Sequence, residues 1–556
     1  NLETRAEYRF LRAVGADEWA GWMHFSGPDS GRHGGETVYV VVRVDRAPLD
    51  SIAWTVEETG GLGAEGVGLG AALRFDASDG APLHVAVGLS FVDEDGARGN
   101  LAADLGADPF DFDAVRAAAR AAWEPFFDTL QIGGGGDEER AIFASSAYHA
   151  FLMPSIFTDA DGRYRSFGGD TRVAEGWNFY SDFSLWDTYR VTHPLYDLVI
   201  PELEDDFLRS LFAMYGDLGR MERWPLGTGP TGGMLGDSGA NVFAGAMSKG
   251  IGLESVGAAA ALEAFEVTAG FRAGAGTYFD LGYVAADTAG GSVSETLEYS
   301  WNDAALSRLA TVAGDPARSA ELLARSQSWR NHWDPETQFL RARDSAGAFI
   351  TPFYEELLMP EYVEGSAWQY LWMAPHDAAA YIALFGSAED AVRKLERFFL
   401  EASWELEENP IASLPSSYYW HGNEPDIHAS FLFALWGRPD LTARWSRWAA
   451  DTQYAVGPEG LVGNDDGGTM GAWYVWAALG LYPIAGTDDF IVGAPRFPSA
   501  RVRVQDASLL ITAPGIEAAA ANGPPIPTGA TLNGEPVGPL VTWAQLAGGG
   551  ELRFSF

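Results

Sequence analysis

The chain has 556 residues, with 36 Lys plus Arg against 77 Asp plus Glu for a formal charge of −41, 20 Trp and no Cys. At roughly 100–200 residues per domain this length gives two or more domains, or one large scaffold with additions. The charge excludes a binder of nucleic-acid backbones and disfavours an anionic membrane surface, while the missing Cys removes disulfides, thiolate zinc sites and cysteine nucleophiles.

No apolar run reaches the ~18 residues of a membrane span, so no membrane partner is expected. Residue 1 is Asn without a charged, apolar leader before it, which reads as a mature or trimmed form. An acidic, cysteine-free chain fits secretion as well as the cytoplasm.

Up to residue 112 the pattern is of strands. Thr37 to Val44 is β-branched and aromatic, Leu83 to Val92 alternates, and turn clusters such as Gly60 to Gly66 separate the runs. An antiparallel, sandwich-like domain over 1–112 is expected. A helical linker follows over 113–136, with Asp113 as N-cap and a helix from Ala114 to Trp123 that Pro125 stops or kinks.

Over 137–484 the pattern is helical: Glu139 to Leu152, Glu202 to Leu218, Ala258 to Ala269, Ala304 to Val312, Pro316 to His332, Ala378 to Phe385, Glu389 to Ser403, Ile427 to Trp436, Leu441 to Ala449 and Met470 to Leu481. Helical hairpins joined by long polar and aromatic loops fit a toroid better than a four-helix bundle. Strands return over 485–556, at Phe490 to Gly493, Arg501 to Val504, Ser508 to Thr512, Ala530 to Leu532 and Leu552 to Phe556. They form a small sheet or complete the first sandwich.

Four loops crowd aromatic, acidic and amide residues together. In Tyr180 to Arg190, Trp186 offers an apolar face to a sugar ring while Asp187 and Arg190 hydrogen-bond hydroxyls. Asp187 as a cap and Trp186 as core is the structural alternative. In Tyr362 to Trp372, Glu364 among Tyr362, Trp368, Tyr370 and Trp372 is expected to be partly desolvated, which favours a protonated general acid. The alternative is a helix N-terminal Glu facing the dipole.

In Trp420 to His428, Asn423, Glu424 and backbone carbonyls supply the hard oxygens that calcium prefers, or a polar turn before a helix. His421 and His428 lack a supporting cluster and no HExxH occurs, so zinc is disfavoured. In Gly463 to Met470, adjacent Asp465 and Asp466 suit a nearby cation or a base that holds a water, or a capping loop. Acidic loops on different hairpins suggest a carboxylate pair across one pocket, as in glycosidases. No GxSxG or GxxxxGK[ST] occurs, which argues against esterase, kinase and ATPase readings.

Together these segments resemble glycoside hydrolase family 92, the calcium-dependent exo-α-mannosidases. The matching stretches are FSLWDTYRVTHPL, Ser294 to Asp303, YVEGSAWQYLWMAPHD, HGNEPDIH and GNDDGGTMGAWYVWAALGLYPI with FIVGAPRF, and DADGRYRSF at 159–167 agrees. The resemblance implies an N-terminal β-sandwich, incomplete at its N-terminal side here, and an (α/α)6 barrel, with C-terminal strands. It implies inverting hydrolysis of terminal α-linked mannose, α-1,2 the expected linkage, from N-glycans or mannan by a secreted enzyme.

By that match Glu364 is the general acid, Asp466 the base and Asp465 its catalytic neighbour. Asn423 and Glu424 are the calcium ligands, the ion contacting the sugar's 2- and 3-hydroxyls. Trp186, Asp187, Arg190, His421, Glu424 and Trp368 are the substrate-binding candidates. Asn464 stands where some family members carry Asp. The rivals are release of mannose from mannose-1-phospho-6-mannose caps, an (α/α)6 hydrolase or phosphorylase acting on another sugar, and a non-catalytic mannose-binding relative.

Overall fold

The computed structural model describes residues 5–54, 64–65, 70–106, 108–408, 417–521 and 523–556. The glycine-rich separator at 60–66 lies mostly outside them. The first layer is an antiparallel sheet whose strands run in the order Ala64–Glu65, Arg5–Ala13, Glu18–Ser26, Glu36–Val44 and Val85–Ser90. Alternation in the last strand turns Ala86, Gly88 and Ser90 inward. Helix Glu94–Leu105 packs there through Ala97 and Leu101 on Ala20, Val41 and Ala86. A Cβ on Gly88 would lie 2.1 Å from the Ala97 carbonyl, so this close approach requires glycine. The described residues thus give one sheet, a helix on its face and a separate hairpin, Asp50–Trp54 with Gly70–Arg74.

The helix expected from residue 114 begins earlier and ends later, as Phe112–Asp128. Asp111, not Asp113, caps it, accepting from Ala114 N at 3.0 Å. Pro125 lies inside the helix; the last turn is held by Trp123 and Phe126 packing on each other and Phe126 packing on Phe151. Residues 130–133, within the expected linker, form a strand that pairs with Ser499–Val504.

The helical region is built from neighbouring pairs. Ser292–Val312 packs on Pro316–Arg325, Ala378–Phe385 on Ala388–Glu408, and Ala429–Leu435 on Pro439–Thr452. Thr469–Leu479 returns to pack on Asp137–Ala150. The two backbones approach so closely that a Cβ on Gly471 would sit 2.4 Å from the Ser146 carbonyl.

Ser292–Val312 runs twelve residues further towards the N-terminus than the sequence pattern suggests. Its buried positions include Glu295, Glu298, Asn302 and Asp303 beside Val293, Leu297 and Trp301, so apolar periodicity is lost. One large apolar cluster joins these helices to the C-terminal strands. Most of those strands form a sheet of their own in the order Glu535–Val537, Gly529–Leu532, Gly550–Ser555, Ala507–Thr512, Ser499–Val504 and Leu130–Gly133, while Asp489–Val492 pairs between Leu481–Pro483 and Leu540–Thr542 in a second; neither completes the first sheet.

Candidate active site

Loops between the helices converge on a cleft of about 1050 Å³. Its wall includes Trp186 and Asp187, Glu364, Asn423 and Glu424, and Asp466, drawn from four segments far apart in the chain. A second cavity, of about 760 Å³, lies where strand Val85–Ser90 and helix Glu94–Leu105 face the segments at 156–162 and 174–178. Its buried Asp159 is satisfied by Ser90 Oγ at 2.8 Å and Asn100 Nδ2 at 2.7 Å, and none of the proposed catalytic carboxylates reaches it.

Trp186 and Asp187 sit on a one-turn helix, Leu185–Thr188, entered from the short strand Tyr180–Ser181. Ser184 Oγ donates to Asp187. Glu364 has a left-handed backbone, φ 54°, and its neighbours fix that geometry. Val363 N donates to Ser294 Oγ at 2.9 Å, Tyr370 OH to the Val363 carbonyl at 2.6 Å, and Asn423 Nδ2 to the Glu364 carbonyl at 3.0 Å. Ser366 then starts helix Ala367–Tyr370 through a reciprocal cap with Gln369.

Asp466 is left-handed too, φ 49°, followed by Gly467 at 63° and Gly468 at 87°, before helix Thr469–Leu479. A left-handed non-glycine residue costs about 1–2 kcal/mol. Such strain is retained where surrounding contacts over-determine the backbone, and it concentrates at functional sites. The loops at 420–428 and 463–470 meet backbone to backbone: a Cβ on Gly463 would lie 2.3 Å from the Gly422 carbonyl.

The cleft is dominated by carboxylates. Burial, then the charges of Asp187 and Asp466, hold Glu424 well above its usual range, with Arg190 pulling weakly the other way. Burial and the Asp466 charge do the same to Asp187. Asp466 is pushed up to about 6 by burial and by the charges of Asp465 and Glu364, with the neighbouring Glu424 carboxyl acting in the lowering direction. Both Glu424 oxygens are buried and meet no hydrogen-bond partner. The cluster therefore holds protons or a cation.

Several expected residues stand elsewhere. Trp368 is fully buried, edge-on to Phe339 at 5.0 Å with the Lys394 ammonium 4.2 Å from its ring centre, and has no face on the cleft. His421 lies behind the wall, between the hydroxyls of Tyr419 (2.6 Å) and Tyr454 (2.7 Å), and burial takes its pKa down to about 3. Arg190 is buried against Glu298. Asp465 turns from the cleft to His149, Oδ1 to Nδ1 3.3 Å.

The aromatic residues around Glu364 do not desolvate it. Tyr362 and Tyr370 direct their hydroxyls to backbone carbonyls, Trp368 and Trp372 enter the core, and the Glu364 side chain is exposed on the cleft.

Trp224, Met234, Trp420 and Tyr454 also line the cleft and received no role from the sequence. Trp224 carried a signal, an aromatic residue opening a Gly- and Pro-rich loop; Met234 carried none.

With the carboxyls of Glu364 and Asp466 brought by separate loops to one carboxylate-rich cleft, the molecule is of the glycosidase class. The chain belongs to glycosyl hydrolase family 92, whose catalytic-domain model matches residues 96–556. It is similar to a family 92 α-mannosidase from Bacteroides thetaiotaomicron solved with mannoimidazole, at 28% identity and a TM-score of 0.89, covering 99% of this chain and 74% of that one. An inverting family 92 mannosidase from the same organism gives 25% identity and a TM-score of 0.89, with 99% and 77% covered. An uncharacterized secreted glycosidase of Arthroderma benhamiae is 24% identical over 539 residues. The match takes in 90% of this chain and 63% of that relative's length.

Proposed function

We propose that this chain is a secreted, calcium-dependent exo-α-mannosidase that removes terminal α-mannose, α-1,2-linked in the first instance, from N-glycans or mannan with inversion. On this reading the helical region is an (α/α)6 barrel and the N-terminal sheet belongs to a β-sandwich. The observation that carries it is the placement of Glu364 and Asp466, each in a left-handed loop, on one cleft wall beside Trp186 and Asp187.

Glu364 gives its proton to the departing glycosidic oxygen as the bond to the anomeric carbon breaks. A water attacks that carbon from the opposite face, and Asp466 takes the proton the water releases. Trp186 supports the apolar face of the ring, and Asp187 accepts from its hydroxyls. Asp465 serves the base through the loop it shares with it.

Among the described residues no three Asp, Glu or His side chains form a ready metal cage. The donor set nevertheless suits a hard cation: Glu424 offers two buried oxygens without donors, and the Asn423 side-chain oxygen lies next in sequence. Asn423 and Glu424 would hold calcium, with sugar hydroxyls and water as the remaining ligands. When bound, the ion supplies the positive charge this cluster lacks and a grip on the sugar's 2- and 3-hydroxyls. Hydrolysis of α-1,2-mannobiose before and after exhaustive calcium removal tests the reading; activity that survives chelation contradicts the metal role.

A further inference from the structure

The helix Ser292–Val312 carries a buried polar ridge that no step above uses. Glu295, Glu298 and Asn302 lie three and four positions apart, hence on one face. Glu295 Oε2 accepts from Gly236 N at 3.1 Å, and Asn302 Oδ1 accepts from Asp237 N at 2.7 Å. These bonds fix the backbone just after Met234, which lines the cleft. Between them Glu298, with no exposed surface, receives Trp186 Nε1 at 2.8 Å and Arg190 Nη2 at 2.9 Å on Oε1, and Tyr189 OH at 3.1 Å on Oε2.

We infer that Glu298 is the positioning residue of the sugar platform: by holding the indole N–H of Trp186 it sets the angle of the ring that a terminal sugar meets. The assignment rests on the α-mannosidase reading above. Three donors converge on one carboxylate, and all three come from the single stretch Trp186 to Arg190. Trp186 is 3% exposed, with packing around most of the indole and one hydrogen bond at its far end, so moving the acceptor retilts the ring rather than undoing the fold. The Arg190 guanidinium completes the clamp, its centre 5.3 Å from the Trp186 ring and 4.6 Å from the Tyr189 ring.

A plain structural role is the competing explanation, in which Glu298 serves only to neutralise buried Arg190. The two roles order the conservative variants oppositely. Glu298→Gln keeps the reach: its carbonyl oxygen can take Trp186 and Arg190 where Oε1 stands, and its amide can donate to the Tyr189 oxygen. Glu298→Asp keeps the charge but withdraws the acceptor by one methylene.

The test measures kcat and KM for α-mannobiose, per folded molecule, together with Tm, for wild type, Glu298→Gln, Glu298→Asp and each change in a Trp186→Phe background. Positioning predicts that Glu298→Asp lowers kcat/KM about tenfold, with KM rising, while Tm stays within a few degrees. It predicts a smaller loss for Glu298→Gln, and under twofold loss from Glu298→Asp once Trp186 is Phe. Glu298→Asp with wild-type kinetics, the order Asp above Gln, or the same tenfold loss in the Trp186→Phe background overturns it. Should Glu298→Asp not fold, Glu298→Gln decides alone: a loss in kcat/KM that is undiminished in the Trp186→Phe background rejects positioning, and one that vanishes there supports it. A wild-type chain inert towards every α-mannoside would instead sink the underlying reading.

Discussion

Asn423 Nδ2 donates to the main-chain carbonyl of Glu364 at 3.0 Å, so the loop proposed to hold the cation also holds the strained backbone of the proposed acid. The two functions of Asn423 reside on different atoms and can be separated. Asn423→Asp keeps a ligand oxygen and removes the donor. Calcium affinity by titration calorimetry is expected to be kept or raised, while kcat falls about tenfold or more as Glu364 loses its placement. Unchanged kcat, or lost calcium binding, contradicts this division.

The acid limb of the activity profile follows from Asp466. Only the ionised carboxylate takes a proton from water, and its pKa is pushed up to about 6. Activity therefore rises with pH through about 6, and log kcat/KM falls with unit slope below it. Because Asp466 and Glu424 each alter the other's affinity for protons, the inflection belongs to the pair. A titration of the Asp466 carboxyl lying below pH 4.5 in the chelated protein, followed by carbon-13 NMR, contradicts the burial argument.

Calcium and stability are coupled with a definite sign. Asp187, Glu424 and Asp466 bind protons more tightly in the folded chain than in the unfolded one. Their contribution thus destabilises the chelated protein as pH rises from about 4, through about 6 for Asp466, because the unfolded chain releases protons that the folded chain still holds. A cation replaces the protons. Calcium at a hundred times its Kd should stabilise by about 2.7 kcal/mol at pH 7 and by much less at pH 4, where carboxyls are protonated. Calorimetric Tm values at both pH values, with calcium and with chelator, provide the check; an equal shift at both contradicts the site.

Loss of the acid should depend on the leaving group. Glu364→Gln is expected to reduce hydrolysis of α-mannobiose about a hundredfold or more, and of an aryl mannoside with a good leaving group far less. Equal losses on both substrates remove Glu364 from the acid role.

Much of the site was legible in the sequence because its loops mix residue types that seldom serve a core. Trp186-Asp187, Glu364, Asn423-Glu424 and Asp466 all reach the cleft. What sequence could not give was direction. Trp368 and Glu364 stand four positions apart in one motif, yet one faces the core and the other the solvent. His421 reads as a polar ligand and is saturated by two tyrosines.

The helix carrying Glu298 was half missed for a related reason. A buried helix whose polar residues serve as anchors for other loops shows no amphipathic period, and its twenty-one residues betray themselves only in three dimensions. The strand at 130–133 was hidden by its brevity and by the distant position of its partner, residues 499–502.

The measurement that bears most directly on the account is the anomer of mannose first released from α-1,2-mannobiose, followed by proton NMR, for wild type and Asp466→Ala. The account predicts β-mannose from the calcium-loaded wild type, none after chelation, and none from the variant. Initial release of α-mannose, or undiminished release by Asp466→Ala, would contradict it.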